Sequence, residues 1–163
     1  MPVTKNDIVT TIRESQREIE EVVSSLPDGA WSQGVYERGW NAKQLFCHLA
    51  ENSGVASFLI GIASAPAPTR TPVGAGSGGG VNIDVWNAQR VSALEGKSVP
   101  ELLGYLRSTC ERDIAAVQSA PDDLLSRQIR APWGAEGPLG KVIIGSIRDH
   151  GGAHLADLRT AAG

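Results

Sequence analysis

The sequence predicts an all-α protein, a bundle of four long helices, on three observations. Apolar residues recur at helical spacing in four long segments. Three of those segments begin with a residue pair of the helix-capping type. No segment alternates apolar and polar residues as a half-buried strand does. Because four amphipathic helices bury their apolar faces most economically against one another, we expect residues 1–163 to form a single helical domain.

The first helix is predicted to begin after Thr4 and to end at the turn Pro27-Asp28-Gly29. Asp7 follows Thr4 by three residues, which is the spacing of a capping box. The apolar residues of this segment follow one another at steps of three, four or seven. They therefore share one face, which holds Ile8, Ile12, Ile19, Val22 and Leu26.

The second helix is predicted to start after Asn41, with Gln44 as the reciprocal capping residue, and to run to about Ile62. Its inward stripe holds Leu45, His48, Leu49, Asn52, Ala56 and Leu59. Residues 64–81 are rich in proline and glycine and are expected to form a long loop. A loop of this length is either functional, for example as a lid over a site, or a disordered connection.

The second half of the chain continues the helical pattern. A short helical piece is predicted over residues 82–95, and Ser98 with Glu101 predicts the start of the third long helix, which Pro121 ends. Residues 120–137 are expected to be mostly connection, and Pro138 suits the first turn of the last helix. The inward stripe of that helix holds Ile143, Ile147, His150, His154 and Leu158.

Charge, apolar runs and cysteines exclude several classes of protein. The 15 Lys and Arg residues are outnumbered by 18 Asp and Glu and form no basic run, so we expect no nucleic-acid partner. No apolar run approaches the roughly 18 residues of a membrane span, so we expect no membrane partner. Cys47 and Cys110 lie in apolar periodic stretches, which favours two buried reduced thiols over a disulfide. With no hydrophobic signal core at the N-terminus, the expected location is the cytoplasm.

The three histidines of the chain all fall on predicted inward stripes. His150 and His154 are four residues apart, so their imidazoles lie one turn apart on one face, while His48 lies on another helix. A single histidine on an apolar face is more often a core residue than a ligand. Neighbouring buried imidazoles, however, need partners for every ring nitrogen. A divalent metal ion supplies them, and three nitrogen ligands leave positions open, which is typical of a catalytic site.

Four further residues are candidates for contact with a substrate, each with a purely structural alternative. Asn52 lies one turn beyond His48 and is either a substrate contact or a hydrogen-bonded core residue. Gly151 lies beside His154, where its missing side chain either leaves room for a ligand or permits close helix packing. Trp86 and Arg90 share a face of the short helix, and the arginine is either a ligand for an anionic group or a surface residue.

The segments around the histidines resemble a known family. The stretch from Trp40 to Ala50, WNAKQLFCHLA, is similar to the second-helix signature of the DinB-like (YfiT-like) metalloenzymes. The stretch from Ile147 to Arg159, IRDHGGAHLADLR, is similar to their last-helix HxxxH segment. Pro132-Trp133-Gly134 resembles relatives close to the mycothiol-dependent maleylpyruvate isomerases.

The resemblance implies a four-helix bundle in up-down-down-up order, a homodimer, and a divalent metal, zinc or nickel, held by His48, His150 and His154. It also implies a low-molecular-weight thiol cofactor, mycothiol or bacillithiol, in an S-transferase or an isomerase. In the isomerases the first of the two last-helix ligands is a carboxylate. His150 takes that position here, which favours the broader three-histidine pattern of the DinB-like proteins.

The sequence therefore predicts a metal-dependent enzyme that acts on a small molecule. The metal would lower the pKa of a bound thiol or water and so present a nucleophile, and no single side chain is assigned as the catalytic residue. One alternative is a non-catalytic protein that uses the metal to bind or sequester a small molecule. Another is a structural dimer in which the metal site is vestigial.

Overall fold

The computed structural model describes residues 1–65 and 82–161, apart from the side chain of Glu37. Seven α-helices are present in this part of the chain: α1 (Lys5–Ser25), α2 (Ala42–Asn52), α3 (Val55–Ser64), α4 (Ile83–Leu94), α5 (Val99–Ser119), α6 (Leu139–Gly145) and α7 (Gly152–Thr160). A π-helical segment, Ser146–Gly151, joins α6 to α7. The predicted proline- and glycine-rich loop lies, from residue 66 to residue 81, outside the described residues.

The prediction of an all-α bundle is confirmed. The helix α5 packs against α1, α2 and α3, and the run from α6 to α7 packs against α1 and α2. The predicted face of α1 is buried throughout. One face of α5 is also buried, and it holds Leu102, Leu106, Cys110, Ile114 and Val117. All three capping pairs form, since Thr4 bonds with Asp7, Asn41 with Gln44 and Ser98 with Glu101. The apolar periodicity and the local caps therefore account for the main helices.

The second predicted helix is interrupted, which corrects the expectation of one helix to Ile62. The chain turns at Ser53 and Gly54, and α3 starts at Val55. Asp113 of α5 is fully buried, and its carboxylate accepts the backbone N–H groups of Ala56 at 2.8 Å and Ser57 at 3.0 Å. These are donors that the first turn of a helix leaves without intrahelical partners. A carboxylate from a distant helix therefore caps α3 at its N-terminus.

Taken as one apolar stretch, α2 and α3 are long enough to cross a membrane. The span Ala42–Ser64 has the length and the apolar composition of a membrane-crossing helix, and this comparison uses length and composition alone. Half of its most apolar window is buried inside the protein, and the turn at Ser53 and Gly54 divides it. A pair of helices in the core of a folded domain is buried in this way.

Two features between α5 and α7 also differ from the expectation. A short antiparallel ribbon, β1 (Gln128–Arg130) and β2 (Glu136–Pro138), occupies part of the predicted connection. Gly134 in its turn and Gly137 within β2 adopt positive φ angles of 94° and 145°, which glycine tolerates. Strands of three residues are too short to show alternation in the sequence. The last helix is not continuous either, because the π-helical segment divides it.

Candidate metal centre

The structure brings the three histidines together from three elements. His48 lies on α2, His150 in the π-helical segment, and His154 on α7. The Nε2 atoms of His48 and His150 are 3.2 Å apart. The ring centroid of His154 lies 4.9 Å from that of His48 and 4.4 Å from that of His150. One nitrogen of each ring can be chosen so that all three lie within 4.8 Å of one another.

The three imidazoles differ in exposure. His48 and His154 are buried, whereas His150 is exposed. The expectation that all three histidines point inward is therefore wrong for His150. His150 is exposed because it lines a cavity at the edge of the centre, although its Nε2 still approaches the buried His48. The centre consequently has two buried ligand candidates and one at the solvent edge.

His48 has the electronic state that a metal ligand needs. Burial, which is the largest cause, and the neighbouring His154, His150 and Arg38 together lower its pKa to about 3. The imidazole is therefore neutral at pH 7, with a lone pair on one ring nitrogen. Tetrahedral zinc with nitrogen ligands at about 2.05 Å would hold two of them about 3.3 Å apart. The separation between His48 and His150 fits such an ion.

The local sequence around His48 fixes its direction. Asn41 accepts the backbone N–H of Gln44 at 2.9 Å, and the Gln44 side chain accepts the backbone N–H of Asn41 at 3.1 Å. The buried Trp40 stands one residue before this capping box, and its ring centroid is 5.1 Å from that of His48. The helix start and the indole together set the position of the imidazole.

Gly151 lies between the two last-helix histidines and is buried. A Cβ added to it would meet nothing in the described structure nearer than the carbonyl oxygen of Ser146, at 4.0 Å. Close helix packing therefore does not explain this glycine. The observation favours the alternative, in which Gly151 borders unfilled space beside the histidines.

The other three candidates fall on α2 and α4. Asn52 is half-buried, one helical turn beyond His48. Arg90 lies with its guanidinium 5.4 Å from the ring of Trp86, and it also binds the carboxylate of Glu51 on α2. The hydroxyl of Tyr105 donates to the same carboxylate. Arg90 thus takes part in an ion pair between helices, which the sequence alone did not indicate.

A cavity of about 360 Å³ reaches the exposed histidine. Its walls include Trp133 and Pro138 of the ribbon region and Lys141, Asp149 and His150 of the last helical run. Trp133 also stacks on Phe58 of α3, with ring centroids 6.3 Å apart. No periodic pattern predicts this cavity, because the ribbon that forms one wall lies in a segment whose sequence predicts a connection.

Comparison with known proteins identifies the family. The family model described as mycothiol maleylpyruvate isomerase N-terminal domain matches residues 12–159. A crystal structure of the mycothiol-dependent maleylpyruvate isomerase superposes with a TM-score of 0.66 at 14% identity, over 91% of this chain and 60% of that chain. A structure of a mutant form of that isomerase gives the same score and coverage at 12% identity. No curated protein matches the chain.

The two structural comparisons establish a shared fold at low sequence identity, and this chain corresponds to about three fifths of the isomerase chain. The family match covers most of the sequence and includes all three histidines. The protein therefore belongs to the family of the mycothiol maleylpyruvate isomerase N-terminal domain, among the DinB-like proteins.

Proposed function

We propose that this protein is a metal-dependent enzyme acting on a small molecule, with His48, His150 and His154 as the metal ligands. The observation that carries the proposal is the convergence of three imidazoles, two buried and one beside a cavity. Three protein nitrogens around one ion leave at least one position open for a substrate or a cofactor. An open position that borders a cavity is the arrangement of a catalytic site.

Zinc or nickel is the proposed metal, on the resemblance to the DinB-like family. The ligands offered are neutral imidazoles, which suit both ions. When bound, such an ion acts as a Lewis acid and lowers the pKa of a ligand such as a thiol or water. The residues of the chain would hold the ion and restrict access to it, because the buried His48 and His154 close two sides of the centre while His150 faces the cavity.

A low-molecular-weight thiol is the proposed cofactor, with mycothiol and bacillithiol as the candidates. The support is the family, whose structurally similar member is a mycothiol-dependent isomerase. An S-transferase or an isomerase reaction would use the same thiol bound at the open position. Asn52 and the space beside Gly151 are the proposed contacts for the substrate. Arg90 and Trp86 on α4 are further candidates. We also infer a homodimer and a cytoplasmic location.

Metal analysis is the first test. The wild-type protein loaded with zinc or nickel should hold one ion per chain, and His154→Ala should lose most of it while its circular dichroism stays helical. Asn52→Ala is the matched control, because it removes a polar side chain one turn from His48 but leaves all three imidazoles. Full metal occupancy in His154→Ala would refute the ligand assignment.

Thiol dependence is tested on the metal-loaded protein. Mycothiol, bacillithiol and glutathione are each supplied with an electrophilic acceptor and with a cis-dienoic acid, and thiol consumption and isomerisation are followed separately. We expect turnover with one thiol that disappears in His154→Ala and falls in Asn52→Ala. Binding of thiol and acceptor without turnover would instead support a non-catalytic protein that sequesters a small molecule.

A further inference from the structure

The backbone at Arg38 is unusual. Its φ and ψ angles are 63° and 16°, and it is the one residue other than glycine with positive φ in the described parts of the chain. The turn around it is closed by hydrogen bonds from Gly39 N–H to the Tyr36 carbonyl and from Tyr36 N–H to the Trp40 carbonyl, each 2.9 Å. Glycine adopts this left-handed conformation freely, whereas arginine does so at a cost in free energy. Backbone strain of this kind is concentrated at functional sites.

The side chain of Arg38 extends toward the histidine centre. Its guanidinium carbon is 5.9 Å from the centroid of the Trp40 ring, and that ring is 5.1 Å from the ring of His48. The Trp40 ring therefore lies next to both the Arg38 guanidinium and the His48 imidazole. The Arg38 side chain is 27% exposed, so a dissolved anion can reach the guanidinium from solvent.

One partner of the guanidinium is easily replaced. Arg38 Nη2 lies 2.6 Å from Asp84 Oδ1 at the start of α4, and the Asp84 side chain is 63% exposed. An ion pair with so exposed a partner contributes little to stability. Arg90, by contrast, binds Glu51, whose side chain is only 18% exposed and also accepts from Tyr105. Of these two arginines, Arg38 is the one whose carboxylate partner a ligand can displace.

We propose that Arg38 is an anion-binding residue, which takes a carboxylate of the small molecule held at the three-histidine centre in exchange for Asp84. A guanidinium binds a carboxylate through two parallel hydrogen bonds, so it orients the ligand as well as attracting it. The ligand class that follows is a small organic acid with a second group able to reach the metal. This inference rests on the proposed metal-dependent function.

The test measures anion binding and stability together. Succinate, glutarate and adipate, which differ in the distance between their carboxylates, are titrated into the zinc-loaded protein by isothermal calorimetry. For the tightest of the three we expect Arg38→Gly to weaken binding at least tenfold and Asp84→Asn to strengthen it several-fold. Arg38→Gly should also keep or raise the melting temperature, because glycine relieves the backbone strain.

Arg107→Gln is the matched control, since Arg107 forms a comparable exposed ion pair with Glu20 between α1 and α5. It removes the same charge and should leave the affinity within twofold of wild type. If Arg38→Gly and Asp84→Asn both lower the melting temperature and neither changes the affinity, the pair is only a tether between the turn and α4, and the proposal is overturned.

Zinc content, measured on every variant, separates this inference from the proposed function. Nickel content is measured in parallel, and if the wild-type protein binds neither zinc nor nickel, the proposed function fails. Dicarboxylate binding that still depends on Arg38 would then support the anion site on its own, and its absence would overturn both. If zinc binds fully and the dicarboxylates do not, only the inference about Arg38 is refuted.

Discussion

Replacing Asp113 with alanine should destabilise the protein strongly, although the residue lies outside the candidate site. Its buried carboxylate accepts two backbone N–H groups at the start of α3. Burial raises the pKa of Asp113, and the hydrogen bonds from Ser57 and Ala56 oppose that change by favouring the charged form. The side chain therefore stabilises the fold only as long as both hydrogen bonds are made.

The expected loss follows from those two bonds. Hydrogen bonds to a charged group contribute about 1.5–3 kcal/mol each, and removing the buried charge recovers part of this. We expect Asp113→Ala to lower the free energy of unfolding by about 3 kcal/mol. For a protein of this size that corresponds to a fall of about 6–12 °C in melting temperature. Asp113→Asn keeps one acceptor oxygen and should lose about half as much.

Urea denaturation followed by circular dichroism measures this loss. Asp122→Ala is the control, because that carboxylate is 91% exposed and pairs with Lys5 at the surface. Surface pairs are worth about 0–1 kcal/mol, so the control should stay close to wild type. If Asp113→Ala loses no more stability than Asp122→Ala, the cap is not what holds α3 in place.

Three further predictions concern the histidine centre. Gly151→Ala and Gly152→Ala should each raise stability by up to about 1 kcal/mol, because alanine is the better helix former, but only Gly151→Ala should weaken ligand binding in calorimetry. Chelation with EDTA should lower the melting temperature of the zinc-loaded wild type and leave that of His154→Ala unchanged, since an ion bound only by the native state stabilises it. In the metal-free protein, burial and the neighbouring His154, His150 and Arg38 together lower the pKa of His48 to about 3, while the unfolded chain keeps the ordinary value of 6.5. Its contribution to stability is therefore full above pH 6.5 and lost as pH falls toward 3, by up to about 1.4 kcal/mol per pH unit, and a His48→Leu profile of equal slope would contradict this.

The sequence predicts the helices and the histidines well because both depend on local spacing. The caps at Thr4, Asn41 and Ser98 involve residues three positions apart, and they form as expected. Convergence of His48 with the last-helix pair follows from apolar faces that must meet in one core. Such features are encoded within a few turns of helix.

The features that the sequence did not predict depend on residues far apart in the chain or on backbone conformation. The start of α3 is capped by Asp113, which lies 57 residues beyond Ala56 and carries no local signal. His150 lies in a π turn, which has no periodic signature at a length of six residues. The positive φ angle of Arg38 could not be predicted, because a charged side chain gives no preference for that backbone conformation.

The π-helical segment has a consequence for how the last helix tolerates change. A π turn holds about one residue more than an α turn, so the six residues of Ser146–Gly151 rotate the chain about as far as five α-helical residues would. A single deletion in this segment that spared His150 and restored regular α-helix would therefore leave α6 and α7 almost in register. A deletion in α7 ahead of His154 would instead turn His154, Leu155 and Leu158 by about 100° away from their buried positions. Deletion of one residue from the π-helical segment should therefore be far less damaging than deletion of Ala153.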